Sequence, residues 1–330
     1  MSATVSPPSR QAIQYEEFYG FVQSPFTLAP DPRFLYLSQA HEAALQQVLQ
    51  AIRSKEGIVV LTGDIGTGKT TLCRSFLERL DAKCFTSLLL NPFLSVEELL
   101  QETLLDFGVV SRNAVRSGRL SAASREDLVR TLREFLASLI PIGGSGVLII
   151  DEAQHLSPAV LEELRVLADL ETNSRKLLQI VLVGQLNLLD VLKSPDLARL
   201  NQAITTRAML RPLTRDDVRA YIDHRLSVAH GSSSVTFDAA AVEAIYSTSQ
   251  GVPRVINLLC DRSLTIAASC RLREIPADVV AEAAVALGLR STRARLSAWK
   301  NNLRRWIGLS ALIIAVVAAM LPAAPLSNPL

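Results

Sequence analysis

The sequence predicts an α/β fold in which a three-layer parallel sheet is followed by an all-helical region. Up to about Pro212, buried aliphatic runs alternate with segments of helical periodicity, which favours parallel strands joined by crossover helices. From Leu213 onward only helical patterns follow. A glycine-rich turn at 63–70 lies between the first strand and the helix after it, where parallel sheets commonly bind anions.

Composition sets broad limits on this chain. Its 330 residues suffice for one large domain and a smaller one, and a net charge of +2 argues neither for nor against nucleic acid. The four cysteines show no C-x-x-C spacing, which predicts reduced, structural thiols and argues against a disulfide framework. The polar N-terminus, with 1–14 predicted to be disordered, has no signal-peptide core.

The first ordered segment is aromatic. Seven aromatic residues lie between Tyr15 and Tyr36 in a stretch punctuated by prolines. We expect this segment to pack as an ordered arm against the sheet domain. A helix over 38–54 and a buried strand over 57–62 follow it.

The turn after that strand fits the phosphate-binding pattern G-x-x-x-x-G-K-[ST] at every fixed position. Its glycines let backbone N–H groups surround an anion, and the helix that follows contributes its dipole. Lys69 would reach the β- and γ-phosphates, and the Thr70 hydroxyl would ligate Mg²⁺. The aromatic arm either contacts the adenine or serves only for packing, and both interpretations stay open. The predicted nucleotide-binding residues are Gly63, Asp64, Ile65, Gly66, Thr67, Gly68, Lys69, Thr70 and Thr71.

A second acidic motif follows about 80 residues later. The strand 147–150 is wholly aliphatic and ends in Asp151 and Glu152. Asp151 is expected to hold Mg²⁺ through water, and Glu152 to orient and deprotonate the attacking water. Between the two motifs lie a strand at 84–90 and helices whose capping boxes begin at Ser95 and Ser124.

The remaining elements complete the sheet and add a lid. A further buried strand, 179–185, ends in Gln185, which either senses the γ-phosphate or is a satisfied strand-end amide. Four helices then follow, beginning near Thr214, Phe237, Pro253 and Ile275. We therefore predict a nucleotide-binding domain over 15–212 and a helical lid over 213–288.

The C-terminus is uncharged from Trp306 to Leu330, which predicts a transmembrane helix at 306–326 and a short tail at 327–330. Arg304 and Arg305 would mark the cytoplasmic side, so that the chain crosses the membrane once with its body in the cytoplasm. A buried or interfacial helix is the alternative. The basic segment 289–305 is interpreted as juxtamembrane, with a DNA-binding stripe as the competing interpretation.

Several strings taken together resemble the AAA+ ATPases of the ExeA/GspA type, which are associated with secretion. The resemblance runs from about Tyr15 to Leu287, and its most specific part is the lid string 251–262, GVPRVINLLCDR. It implies that Arg254 reads the γ-phosphate and that Gln185 is the first sensor. It also implies a ring-shaped homo-oligomer in which an arginine acts on the neighbouring site. Where the family often has Asn-Gln-Arg this chain has Asn201-Gln202-Ala203, which leaves Arg199 and Arg207, with Arg207 favoured.

The resemblance further implies a membrane-tethered ATPase, held in the bacterial inner membrane by a single span. It would use ATP and Mg²⁺ to drive assembly or operation of a cell-envelope secretion or export complex. Its partners would be envelope proteins, and the peptidoglycan-binding domain common in the family is expected to be absent. Two alternatives stay open. One is a DNA-directed AAA+ regulator of transposition or replication, although the membrane helix makes nucleic acid the less favoured partner. The other is a nucleotide-gated scaffold with slow turnover.

Overall fold

The computed structural model describes residues 14–111, 113, 123–172, 175–229 and 235–289. The predicted membrane helix at 306–326, the basic segment from Arg290 and residues 1–13 lie outside these ranges, as do residues 112 and 114–122. Within the described ranges, no helix is both long enough and apolar enough to cross a bilayer.

A five-stranded parallel sheet forms the centre of the molecule. The strands of the described residues are β1 Ile58–Gly63, β2 Cys84–Leu89, β3 Ser145–Ile150, β4 Glu171–Thr172, β5 Arg175–Lys176, β6 Leu178–Gly184, β7 Ile204–Leu210, β8 Thr236–Phe237 and β9 Glu274–Ile275. The order of strands in the central sheet is β2-β3-β6-β1-β7. Every residue of β1, β3 and β6 is buried, because helices cover both faces of the sheet.

The helices begin at the predicted caps. Ser95, Ser124 and Thr214 each form a capping box with an acid three residues later, which satisfies backbone donors at the helix start. The helices of the described residues are α1 Tyr15–Tyr19, α2 Gln39–Arg53, α3 Lys69–Glu78, α4 Val96–Asp106, α5 Arg125–Ser138, α6 Pro158–Ala168, α7 Leu188–Leu192, α8 Ala198–Ala203, α9 Arg215–Val228, α10 Ala239–Ser249, α11 Pro253–Ser269 and α12 Ala277–Ala286.

Two aliphatic cores lie on opposite faces of the sheet. Ile58 and Val60 of β1 point into one, which α4, α5 and α6 complete. Val59 and Leu61 point into the other, which α2 and α3 complete. Alternate residues of one strand thus enter different cores, as the period of two in an extended chain requires. The predicted three-layer α/β architecture is confirmed.

The structure corrects the expectation that only helices follow Leu213. β8 and β9 form a short parallel pair within the lid region, with Phe237 opposite Ile275. Each contributes two residues, too few for any periodicity in the sequence to reveal. In the sheet itself, β7 alternates buried and exposed positions and carries Thr205, Thr206 and Arg207, so it lacks the aliphatic run of the central strands.

The aromatic arm also departs from expectation. Tyr15, Tyr19 and Phe26 do not pack on the sheet; they enter a third core shared with α9 to α12. The Tyr15 hydroxyl donates to Asp261 Oδ1 at 2.5 Å, and the Tyr19 hydroxyl to the Leu272 carbonyl at 2.8 Å. The arm therefore begins as part of the lid, and only its later part, at Leu35, packs against the core of α2 and α3.

Candidate nucleotide-hydrolysis site

The phosphate loop lies at the carboxyl end of β1, between the neighbouring strands β6 and β7. Gly66 and Gly68 have φ angles of 77° and 98°, in the left-handed region that favours glycine. Helix α3 begins at Lys69, directly after the loop. Its first N–H groups have no partner within the helix and are available to an anion.

Lys69 is buried at the base of this loop. Its ammonium donates to the carbonyl oxygens of Gly63 and Asp64, both at 3.0 Å. Burial lowers the pKa of this ammonium, while the carboxylates of Glu152, Asp151 and Asp64 oppose that change. The structure therefore places a desolvated cation where the sequence predicts phosphates.

Thr70 and Asp151, the predicted magnesium ligands, are in direct contact. The Thr70 hydroxyl donates to Asp151 Oδ2 at 2.6 Å, and Asp151 is buried. A hydroxyl and a carboxylate oxygen beside a phosphate loop are the donors that Mg²⁺ prefers, so the residues present fit this ion.

Glu152 follows β3 in a left-handed backbone conformation, with φ of 51° and ψ of 36°. Two side-chain amides hold its carboxylate. Gln154 Nε2 donates to Glu152 Oε2 at 2.5 Å, and Gln185 Nε2 donates to the same oxygen at 3.2 Å. The predicted base and the predicted first sensor are therefore in direct contact, across the ends of β3 and β6.

Arg254 brings the lid onto the loop. It is the second residue of α11, and its backbone N–H donates to the Gly66 carbonyl at 3.2 Å. A Cβ on Gly66 would lie 2.7 Å from Arg254 Cβ, so glycine is required at this contact as well as by its φ angle. The Arg254 side chain is exposed and lines the same cavity as the loop.

These groups surround one cavity of about 220 Å³. Residues 65–71, Glu152, Gln185 and Arg254 line it, and so do Thr27–Asp31 and Phe34–Tyr36 of the arm. The arm thus packs against the lid and also reaches the nucleotide cavity.

Arg207 lies outside this cavity. It is exposed on the edge strand β7, where its guanidinium donates to the Asn201 carbonyl at 3.1 Å and to the Asn201 side-chain oxygen at 2.7 Å. It does not line the described cavity. The structure therefore does not bring Arg207 together with the other predicted site residues of the same chain.

Two residues of the site were not predicted from the sequence. His41 is buried, with its Nε2 3.2 Å from the Thr67 carbonyl of the phosphate loop and its Nδ1 2.7 Å from Ser38 Oγ. Gln154 bridges Glu152 and the backbone N–H of Gln185. His41 lies in the first turn of a predicted helix, and Gln154 follows the acidic pair by two residues. Neither position has a spacing signal of its own.

Comparisons with known proteins indicate the family of this chain. Residues 52–192 match the family model described as an AAA domain. The chain is also 39% identical to general secretion pathway protein A of Aeromonas hydrophila over 253 residues, which are 77% of this chain and 45% of that protein. The chain is an AAA+ ATPase. Within that class its sequence is of the ExeA/GspA type.

This AAA+ ATPase has further relatives. It is 31% identical to ATP-dependent target DNA activator B of Escherichia phage Mu over 172 residues, 51% of this chain and 49% of that protein. It spans about half the length of the curated relatives it matches.

The fold resembles that of the Aeropyrum pernix ORC2 protein, with a TM-score of 0.59 at 15% identity over 79% of this chain and 71% of that one. A Walker-type ATPase of Pyrococcus abyssi gives a TM-score of 0.57 at 19% identity, over 86% and 81%. At these identities the likeness concerns the fold alone.

Proposed function

We propose that this AAA+ ATPase couples ATP hydrolysis to the assembly or operation of a cell-envelope secretion or export complex. The observation that carries the enzymatic part is one cavity lined by the phosphate loop, Glu152, Gln185 and Arg254. The 39% identity to general secretion pathway protein A supports the client assignment.

In this proposal Lys69 binds the β- and γ-phosphates, and Glu152 accepts the proton of the water that attacks the γ-phosphorus. The two amides both donate to Glu152 Oε2, and among the described residues no hydrogen-bond donor contacts Oε1. Oε1 is thus the oxygen that can accept a hydrogen bond from water. Mg²⁺, when bound, would neutralise charge on the phosphates, and Thr70 and Asp151 would hold it.

The lid and a neighbouring subunit complete the proposed cycle. Arg254 would contact the γ-phosphate and keep the lid closed until hydrolysis removes that contact. Arg207, exposed on the edge strand, would act on the site of the next subunit in a homo-oligomeric ring.

We further propose that residues 306–326 tether the protein to the bacterial inner membrane with the ATPase body in the cytoplasm, because 306–330 carry no charge.

ATP turnover measured over a wide range of protein concentration tests the enzymatic proposal. For the full chain, specific activity should rise with concentration, because a shared site forms only on assembly. Glu152→Gln should keep ATP binding but lose turnover by about 100-fold or more, the usual contribution of a general base. Lys69→Ala should lose binding itself. Normal turnover in Glu152→Gln would contradict the assignment of the base.

The identity to ATP-dependent target DNA activator B supports a second candidate, a DNA-directed ATPase. That reading predicts DNA binding that weakens steeply with salt, and turnover stimulated by DNA. The secretion proposal predicts neither, and predicts instead that the chain co-sediments with vesicles containing anionic lipid. ATP binding with negligible turnover at every concentration would favour the nucleotide-gated scaffold.

A further inference from the structure

We propose that Gln154 is a positioning residue that fixes the reactive orientation of Glu152 and links it to the end of β6. This inference rests on the proposed role of Glu152 as the base. It concerns a residue that lies outside the phosphate loop, the acidic pair and the lid string.

Both ends of the Gln154 amide have a partner. Its Oε1 accepts from the backbone N–H of Gln185 at 3.0 Å, and its Nε2 donates to Glu152 Oε2 at 2.5 Å. Because a backbone N–H can only donate, it fixes which end of the amide is oxygen and which is nitrogen. The side chain is only 8% exposed, so water does not easily replace either partner.

The residues around Gln154 restrict how the Glu152 carboxylate can be oriented. Glu152 lies in a left-handed turn just beyond β3, and its own N–H donates to Asp151 Oδ1 at 2.9 Å. Its backbone bonds therefore do not orient its carboxylate, and the amides of Gln154 and Gln185 do. A Cβ on Gly184 would lie 2.7 Å from Gln154 Oε1, so the backbone of β6 leaves room for this amide only because residue 184 is glycine.

The arrangement has a chemical consequence. With Oε2 held by two N–H donors, the carboxylate is not free to rotate, and Oε1 is presented in a fixed direction. A general base must lie within hydrogen-bond reach of the proton that it removes. Loss of the Gln154 donor should therefore reduce the rate of hydrolysis while leaving the phosphate loop and ATP affinity intact.

Two substitutions of the full chain separate the two ends of the amide. Gln154→Leu removes both hydrogen bonds, and we expect kcat to fall about 10- to 100-fold with the Kd for ATP changed less than about threefold. Gln154→Glu keeps an acceptor for the Gln185 N–H but replaces the donor to Glu152 Oε2 by a second carboxylate. It should therefore also lower kcat about 10- to 100-fold with the Kd for ATP changed less than about threefold, because the donor end of the amide is lost.

Gly184→Ala provides a further test. Its Cβ would lie 2.7 Å from Gln154 Oε1 and 2.9 Å from Leu188 Cδ2, so it should displace Gln154 without changing it and lower kcat in the same way. Gln179→Leu is the matched control: it removes a buried glutamine from β6, at the end of that strand remote from the site, and should leave kcat unchanged. A general loss of stability would lower the melting temperature and weaken ATP binding together with kcat, which an unchanged Kd excludes.

The outcomes separate this inference from the proposed function. If Glu152→Gln abolishes turnover while Gln154→Leu and Gln154→Glu both retain wild-type kcat, the role of Gln154 is wrong and the base assignment stands. If Glu152→Gln retains turnover, both are wrong. A lowered kcat in both Gln154 variants, with an unchanged Kd for ATP, supports the inference.

Discussion

His41 is a single residue whose protonation state bears on the phosphate loop. The Thr67 carbonyl can only accept, so His41 Nε2 carries the hydrogen and Nδ1 of the neutral ring accepts from the Ser38 hydroxyl. Burial lowers the pKa of His41 below its ordinary value of 6.5, with the Thr67 carbonyl and the charge of Asp217 opposing that change. The folded protein therefore keeps the ring neutral at pH values where the unfolded chain has begun to protonate it.

We predict that His41 makes the free energy of unfolding depend on pH. Because the unfolded chain binds more protons than the folded one, stability is fully present above pH 6.5 and falls as the pH is lowered below that value. Denaturant unfolding at several pH values between 7 and 5 measures the slope. His41→Gln should flatten it.

Burial also lowers the pKa of His224, so part of the pH dependence should remain in His41→Gln. An identical slope in wild type and His41→Gln would mean that His41 titrates alike in the folded and unfolded chains.

Residues of the site differ in how far the sequence could predict them. The phosphate loop and the acidic pair could be found because their chemistry needs fixed residue types at fixed short spacings. The amide bridge of Gln154 could not, since its two partners, Glu152 and Gln185, follow the ends of β3 and β6, which the chain brings together only on folding. The same holds for His41 and Thr67, which are 26 residues apart.

At the scale of elements, the contact between the segment that follows β7 and the segment before α11 depends on Gly251. This residue precedes α11 with φ of 75°, and its carbonyl accepts from the Leu213 N–H at 2.9 Å. A Cβ here would lie 2.0 Å from the Leu213 carbonyl oxygen, a contact with backbone that no side-chain rotation relieves. Two separate segments of the lid are thus held together through one residue without a side chain.

We predict that Gly251→Ala destabilises the fold by more than about 4 kcal/mol, because backbone strain and a backbone clash add together. Gly143→Ala is the matched control. Gly143 also has a positive φ, 69°, but a Cβ there meets no atom within 4 Å, so only the strain of about 1–2 kcal/mol applies. Chemical denaturation of both variants compares the two costs, and similar losses would mean that the Leu213 segment moves away at little cost.

The elements themselves follow sequence signals to different degrees. The starts of α4, α5 and α9 could be predicted because a capping box is contained within four residues. The parallel pair of β8 and β9 could not, since Thr236 and Glu274 pair across a long separation in sequence and nothing local marks them as partners.

At the scale of the whole molecule, the aromatic arm joins the two parts of the fold. Its aromatic residues predict burial, but the sequence does not say against which surface, since apolar surface is available on both the sheet domain and the lid. The structure places Tyr15, Tyr19 and Phe26 in the lid core, while residues from Thr27 onward line the nucleotide cavity. Lid, arm and cavity are therefore one connected unit.

Arg225 of α9 binds the arm to the lid. Its guanidinium donates to the carbonyl oxygens of Pro25 and Thr27, at 2.6 and 3.1 Å, and its charge lies 4.7 Å from the centre of the Phe34 ring. The side chain is buried, and within the described residues it has no acidic partner. The arm carbonyls and the aromatic ring therefore stabilise its charge, and they are held in place by it in return.

We predict that Arg225→Met weakens ATP binding without touching the phosphate loop. Arg225 itself lines the cavity, and Thr27 and Phe34, which also line it, lose the contact that positions them. A hydrogen bond to a charged group contributes about 1.5–3 kcal/mol, so loss of one such contact should raise the Kd for ATP roughly 10-fold or more. Hydrogen exchange of residues 24–36 should quicken in the variant. Arg219→Met, an exposed position on the same helix, should change neither quantity. If Arg225→Met bound ATP normally while the hydrogens of the arm exchanged faster, the arm would serve only for packing. Contact with the adenine, the other role that the sequence leaves open for the arm, would then be excluded.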